Sequence, residues 1–87
     1  MYKVKFTETC LKQLQKLDHN TNRLIKNWII KHLVGCIDPT IHGKALKGNI
    51  KGYWRYRVGD YRLIAKIQDK ELIILIIEVG HRKEIYK

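Results

Sequence analysis

Cysteine, proline and acidic residues are all scarce in this sequence. Its 87 residues contain 2 cysteines, 1 proline and 8 aspartate or glutamate residues, against 18 lysine or arginine residues. Cys10 and Cys36 lie far apart and form no C-x-x-C pair, so a disulfide scaffold is not expected and the thiols are typical of a reducing compartment. The 4 histidines show no ligand spacing either, so the sequence predicts no metal site and no cofactor.

Long apolar runs are also absent. A membrane-spanning helix needs about 20 consecutive apolar residues, and charged side chains interrupt every stretch of that length. Met1 leads directly into a charged, strand-like segment, which is unlike a signal peptide. The sequence therefore predicts a cytoplasmic protein without a membrane partner, folded as one domain over residues 1–87.

The excess of basic residues gives a formal net charge of +10 and a pI near 9.8. A small domain with this charge repels itself and attracts polyanions. Nucleic acid is the first class of partner to expect, and an acidic protein that neutralises the charge is the second. The hydrophobic fraction of 45% still allows a core, although a chain of this size buries only about 60–65% of its unfolded surface.

Two amphipathic helices are predicted in the first half of the chain. Thr7 is a suitable N-cap for a helix over residues 8–17. A second helix is expected to be capped by Asn20 or Thr21 and to end at Gly35. Apolar residues at helical spacing form the buried stripe of this second helix: Leu24, Ile25, Trp28, Ile29 and Leu33.

The remaining apolar runs predict strands over residues 2–6, 53–58, 61–67 and 72–79. The last run, LIILIIEV, does not alternate, so that strand should be central with both faces covered. Residues 35–52 form one long loop that is rich in glycine and lysine. The expected fold class is α+β: a two-helix hairpin packed on one face of a four-stranded, mainly antiparallel sheet, in the order β-α-α-β-β-β.

The stretch GYWRYRVGDYR is unusually basic for a pair of strands. Its Gly-Asp dipeptide is the signal of a two-residue hairpin turn, and the register that follows pairs Arg57 with Arg62. Alternation then places Trp54 and Tyr56 on the core face and the arginines on the exposed face. Like charges directly opposite each other destabilise a sheet. The pair is explained either by a bound anion such as phosphate or by arginines that keep the sheet soluble.

The carboxy-terminal tail is expected to extend this basic surface. In an antiparallel meander, the strand that ends at Val79 delivers His81 and Arg82 to the same edge as the paired arginines. Tyr86 follows within a few residues, and a phenol ring beside guanidinium groups can stack on an unpaired base. The alternative is that the Tyr86 ring only covers the edge of the sheet.

At these residues the sequence resembles the RelE/ParE toxin superfamily of bacterial toxin–antitoxin systems. The similarity lies in the run LKGNIKGYWRYRVGDYRLIAKI and in the ending VGHRKEIY, together with the predicted order of helices and strands. For a RelE-like member it implies an endonuclease that binds the ribosomal A site and cuts the mRNA there without a metal. The ribose 2′-OH attacks the adjacent phosphate and leaves a 2′,3′-cyclic phosphate. The resemblance also implies a cognate acidic, RelB-like antitoxin as partner.

The resemblance further assigns roles to individual residues. Arg62 corresponds to the sheet arginine that holds the scissile phosphate, and Arg82 to the arginine that stabilises the transition state or protonates the leaving group. Tyr86 corresponds to the tyrosine that stacks on an mRNA base. Arg57 and its neighbour Arg55 stand where RelE proteins carry a pair of lysines. The other basic residues expected to contact RNA are Lys44, Lys47 and Lys83.

Arginine in place of lysine changes the expected chemistry. A guanidinium group stays protonated near neutral pH, so Arg57 is a poor general base. His81 is one alternative base, because an imidazole can exchange protons near neutral pH, and Glu84 is another. A third alternative is a site that has no base and depends on electrostatic stabilisation of the transition state.

Two other functions are consistent with the same sequence. A ParE-like member of the superfamily would inhibit DNA gyrase and would not cut RNA. A non-catalytic RNA-binding module would hold phosphates on its basic face without any chemistry. The presence of Arg57, Arg62, Arg82 and Tyr86 together favours the nuclease.

Overall fold

The computed structural model describes residues 1–47 and 52–81 of the chain. Its elements, in chain order, are β1 (Lys3–Phe6), α1 (Glu8–Gln15), α2 (His19–His32), β2 (Gly43–Ala45), β3 (Tyr53–Val58), β4 (Tyr61–Gln68) and β5 (Ile73–His81). The strands form one sheet in the order β1-β5-β4-β3-β2. β1 runs parallel to β5, and the other neighbouring strands are antiparallel. The expected α+β class, with two helices on a mainly antiparallel sheet, is confirmed.

In the described residues the sheet has five strands, one more than the sequence predicts. The additional strand, β2, lies in the segment predicted to be a long loop, and it pairs with the outer edge of β3. A strand of three residues has too little periodicity to be recognised in a sequence. The pairing is possible because Gly43 has no side chain: a Cβ atom there would lie 2.8 Å from Cε1 of Tyr56.

Both helices begin at side-chain caps. Thr7 caps α1 as expected, accepting a hydrogen bond from the Cys10 amide at 3.1 Å. The predicted N-cap of α2 is wrong, because the N-cap is Asp18 and not Asn20 or Thr21. The Asp18 carboxylate accepts from the Thr21 hydroxyl at 2.5 Å and from the Thr21 amide at 3.1 Å, which holds the pKa of the carboxyl below its usual value. A charged acceptor binds the free amides of the first turn more strongly than the neutral side chains that follow it.

The core lies between the two helices and the face of the sheet that carries Tyr56, which is fully buried. Ile25, Ile29 and Leu33 of α2 are buried as predicted, but Leu24 is 55% exposed. Leu24 precedes Ile25 by one residue and therefore points about 100° away from it around the helix. The buried stripe of α2 is thus narrower than the apolar stripe in its sequence.

β5 is a central strand, as its lack of alternation predicts, since it lies between β1 and β4. Ile76 is fully buried against the core, whereas Leu75 on the other face is only half-buried, so both faces are not equally covered. Beyond the end of β1, the N-cap residue of α1 forms a hydrogen bond with the backbone edge of β5. The Thr7 hydroxyl donates to the Ile77 carbonyl at 2.7 Å. This bond satisfies a backbone acceptor that a longer β1 would otherwise bind.

Neither helix has the length of a membrane span. α2, the longer of the two, has 14 residues, and no helix in the described part of the chain is long and apolar enough to cross a bilayer. Across residues 1–47 and 52–81, no group of three or more histidine, cysteine and carboxylate side chains is placed to hold a metal ion.

Candidate nucleic-acid interface

The β3–β4 hairpin has the register that its Gly-Asp turn predicts. Val58 pairs with Tyr61, and Arg57 pairs with Arg62. Gly59 in the turn has a φ of +60°, a left-handed conformation that glycine adopts without steric strain. Because Val58 is in the core and side chains alternate along a strand, the two arginines share the face turned away from the helices.

The two paired arginines differ in exposure. Arg57 is exposed, whereas only 2% of the Arg62 surface is accessible. The expectation that both arginines lie on a solvent-exposed face is therefore wrong for Arg62. Its Nη1 donates to the carbonyl oxygen of Tyr61 at 3.2 Å. A guanidinium withdrawn from water interacts more strongly with a nearby anion than an exposed one does, because the local dielectric constant is lower.

A groove lies beside β2 and β3. The groove has a volume of about 270 Å³ and is lined by Ile41, His42, Gly43, Lys44, Arg55 and Arg57. We call it the basic groove. Lys44 lies directly opposite Arg55 in the strand pair, so a second pair of like charges adjoins the Arg57–Arg62 pair. Such pairs destabilise a sheet, but several cations fixed around one groove attract a polyanion.

Hydrogen bonds hold the segment that leads into the basic groove. From the core side of β3, the Tyr56 hydroxyl donates to the Pro39 carbonyl at 2.7 Å. Burial raises the pKa of the Tyr56 phenol far above its usual value, so the hydroxyl keeps its proton and remains a donor. Asp38 Oδ1 accepts from the Thr40 hydroxyl at 2.6 Å and from the Thr40 amide at 3.0 Å. These contacts position the chain immediately before Lys44.

Replacing Tyr56 with phenylalanine is expected to lower the free energy of unfolding by about 1–3 kcal/mol. The variant keeps the buried ring but leaves the carbonyl of the buried Pro39 without its donor. Urea denaturation followed by circular dichroism measures the change. Tyr53→Phe, at a half-buried tyrosine of the same strand, is the matched control and should change stability by less than about 0.5 kcal/mol. Equal losses in the two variants would contradict a role for the Pro39 hydrogen bond.

His81 and the paired arginines lie on opposite faces of the sheet. It pairs with Tyr61, whose partner Val58 is in the core, so its side chain lies on the helix side of the sheet. Its ring meets the Tyr61 ring edge-on, with 5.4 Å between the centroids. It lines a separate cavity together with three side chains of the α1 region: Gln13, Lys16 and Leu17. The prediction that one face collects the arginines and this imidazole is wrong, because Arg62 pairs with Gly80 and successive residues of β5 point to opposite faces.

Comparison with known proteins gives the family of the chain. Residues 4–86 match the model of the ParE toxin of type II toxin–antitoxin systems, parDE. The chain belongs to the RelE/ParE toxin superfamily. It is 31% identical over 86 residues to toxin RelG of Mycobacterium tuberculosis, which covers 99% of this chain and 97% of that toxin. It is 38% identical over 85 residues to a RelE-like toxin protein of Escherichia coli, covering 94% of this chain and 84% of that protein.

Solved structures of the superfamily have the same architecture. A chain of the RelBE2 toxin–antitoxin complex from Mycobacterium tuberculosis aligns with a TM-score of 0.85 and 31% identity, covering 93% of this chain and 98% of that chain. The isolated RelE toxin of Escherichia coli aligns with a TM-score of 0.75 and 26% identity, covering 99% and 92% of the two chains. The two-helix layer on a five-stranded sheet is therefore a RelE-type fold.

The structure brings together some of the residues to which the resemblance to the superfamily assigns a role. Arg55, Arg57 and Lys44 line the basic groove, and Arg62 lies beside Arg57 within the sheet. Lys47 is exposed two residues beyond the end of β2. Four residues named in the sequence analysis lie outside the described residues: Arg82, Lys83, Glu84 and Tyr86.

His42 is a groove residue that the sequence does not assign to the site. It stands in a segment without periodicity, and no spacing relates it to the arginines of β3. Only the pairing of β2 with β3 brings it beside Arg57. Its ring centroid also lies 4.6 Å from that of His32 and 6.3 Å from that of Trp28, both in α2. No signal in the sequence indicates these contacts.

Proposed function

We propose that this protein is the toxin of a type II toxin–antitoxin system and acts in the cytoplasm as a ribosome-dependent mRNA endonuclease. The basic groove is the observation that carries the proposal. Lys44, Arg55 and Arg57 line one groove, and the buried Arg62 lies directly opposite Arg57. Two adjoining pairs of like charges are unfavourable for a sheet, but they match the closely spaced phosphates of an RNA strand.

The proposed reaction is a phosphoryl transfer within the mRNA strand in the ribosomal A site, without a metal ion. The ribose 2′-oxygen bonds to the adjacent phosphorus while the bond from phosphorus to the 5′-oxygen of the next nucleotide breaks. The 2′-hydroxyl loses its proton and the departing 5′-oxygen gains one, leaving a 2′,3′-cyclic phosphate and a 5′-hydroxyl. Negative charge builds on the phosphate oxygens in the transition state, and guanidinium groups fixed nearby stabilise that charge.

The groove residues are suited to stabilising charge and not to removing a proton. A guanidinium remains protonated at neutral pH, so Arg55 and Arg57 are unsuitable as general bases. His81 lies on the opposite face of the sheet from these arginines. We propose that electrostatic stabilisation, and the in-line geometry that the ribosome imposes on the 2′-hydroxyl and the phosphate, supply most of the rate. The remaining assignments belong to the same proposal: transition-state stabilisation by Arg82, base stacking by Tyr86, and RNA contacts by Lys47 and Lys83.

The proposed partner is an acidic, RelB-like antitoxin. The RelBE2 structure is that of a related toxin in complex with its antitoxin. The net charge of +10 in this chain fits an acidic partner. Apolar side chains beside α2 offer further contact area, since Ile30 is 62% exposed and Val34 is 51% exposed. These two side chains line a shallow apolar groove between β1 and α2 together with Val4 and Phe6.

Translation in vitro with the purified toxin tests the nuclease proposal. Primer extension on the mRNA is expected to show a new end within the codon in the A site, and the same RNA without ribosomes should stay intact. An Arg82→Ala toxin is expected to make no cut and to cause no growth arrest while still binding the antitoxin. Growth arrest by that variant would contradict the role proposed for Arg82.

The alternative is a ParE-like inhibitor of DNA gyrase, and the family model that the chain matches is that of a ParE toxin. Intact mRNA, together with loss of gyrase supercoiling activity in the presence of the same preparation, would support that function over the nuclease. Intact mRNA, unaffected gyrase and salt-sensitive RNA binding would instead indicate a non-catalytic RNA-binding module.

A further inference from the structure

A row of four aromatic rings, each tilted by 46–59° against the next, ends at the basic groove and has no role in the proposed cleavage chemistry. It runs from Tyr56 through Trp28 and His32 to His42, with successive ring centroids 5.7, 4.8 and 4.6 Å apart. Exposure rises along the series, from the fully buried Tyr56 through the half-buried Trp28 and His32 to the exposed His42. The row of rings is therefore anchored in the core and presents its last ring at the surface.

The last ring of the row lies beside the cations. His42 lines the basic groove together with Lys44, Arg55 and Arg57. It stands one residue before β2, in a turn in which the Gly43 amide donates to the Thr40 carbonyl at 3.3 Å. An aromatic ring next to a row of cations is the arrangement that binds a single nucleic-acid strand, because the cations hold phosphates while the ring stacks on a base.

We propose that His42 is a stacking platform for one unpaired nucleobase of the RNA strand that occupies the basic groove. The proposal rests on the proposed function and adds a base-binding subsite to the same groove. The His32 ring contacts the His42 ring at a tilt of 59° and so limits the positions that the His42 ring can take. Desolvation, with smaller effects from His42 and Lys31, lowers the pKa of His32, which favours the neutral form of this neighbouring ring.

Phenylalanine at position 42 distinguishes stacking from proton transfer. A phenyl ring stacks on a base about as an imidazole does but cannot exchange a proton. His42→Phe is therefore expected to keep base binding, whereas His42→Ala removes the ring and loses it. An acid–base role would instead make both variants equally slow in cleavage while both still bind the base.

Fluorescence anisotropy with the full chain and two labelled RNA probes tests the platform. The first probe is a short 2′-O-methyl oligoadenylate, in which no 2′-hydroxyl is available for attack. The second probe has the same backbone but abasic sugars at its central positions. His42→Ala is expected to weaken binding of the first probe by about 5-fold or more, which corresponds to the lower end of the energy of one stacked base. It should leave the affinity for the abasic probe unchanged, and His42→Phe should bind both probes like the wild type.

His19→Ala is the matched control, because His19 is an exposed histidine in the first turn of α2, and it should bind both probes like the wild type. Equal weakening of both probes by His42→Ala would show a phosphate contact and overturn the platform. Unchanged binding in His42→Ala, or a His42→Phe variant as weak as His42→Ala, would overturn it as well. The platform and the nuclease are separable in this assay: base binding through His42 with intact mRNA on the ribosome would disprove the nuclease proposal and support the platform.

Discussion

An Arg57→Ala toxin is expected to cleave mRNA about 100-fold more slowly than the wild type, a loss typical of removing one fixed group that stabilises a transition state. Arg57 is exposed and lines the basic groove, so the substitution removes a cation from the site and no core contact. It also relieves the like-charge pair with Arg62. The free energy of unfolding should therefore equal that of the wild type or rise slightly. Primer extension and urea denaturation on one preparation measure both quantities.

Cleavage is expected to slow while the free energy of unfolding stays equal or rises. This combination distinguishes the loss of a site residue from damage to the fold. Lys70→Ala is the control, because Lys70 is exposed in the turn between β4 and β5, at the other end of the sheet from Arg57. It removes the same charge and should cleave like the wild type. Equal losses of activity in the two variants would show that net charge, and not the basic groove, governs cleavage. Full activity of Arg57→Ala would contradict the role of the groove.

An Ile76→Ala toxin is expected to lose about 2–5 kcal/mol of unfolding free energy. Ile76 is fully buried in β5 and lies between Ala65 of β4 and Phe6 of β1. Truncation removes apolar carbons from the core, and the flanking strands cannot close the cavity because both are fixed to β5 by backbone hydrogen bonds. Since small domains have only a few kcal/mol of net stability, a large fraction of the variant should be unfolded and its toxicity should fall. Urea denaturation measures the loss directly.

Ile37→Ala makes the same chemical change at the surface. Ile37 is 87% exposed, so its truncation should alter the free energy of unfolding by less than about 0.5 kcal/mol. A loss at position 37 as large as the loss at position 76 would contradict the placement of Ile76 in the core.

Local patterns in the sequence are sufficient for much of the fold. A two-residue Gly-Asp turn allows one register, and that register places Arg57 opposite Arg62. The unbroken apolar run of β5 specifies a central strand, and helical spacing identifies the buried residues Ile25 and Ile29. These features depend on residues that are close together in the sequence, so they can be predicted from it. The superfamily is recognisable from the sequence for the same reason, because its motif lies in this hairpin and in the tail that follows β5.

The arrangement of the site depends on contacts between distant segments. Arg62 alternates like a solvent-facing residue, yet it is buried, because burial depends on what covers a strand and not on its pattern. His81 lies at the expected end of the sheet but on the other face from the arginines, since one residue along a strand reverses the side-chain direction. Lys44 and His42 reach the groove only because β2 pairs with β3. A sequence determines spacing along each segment, whereas tertiary packing decides which segments meet and which side chains lose their water.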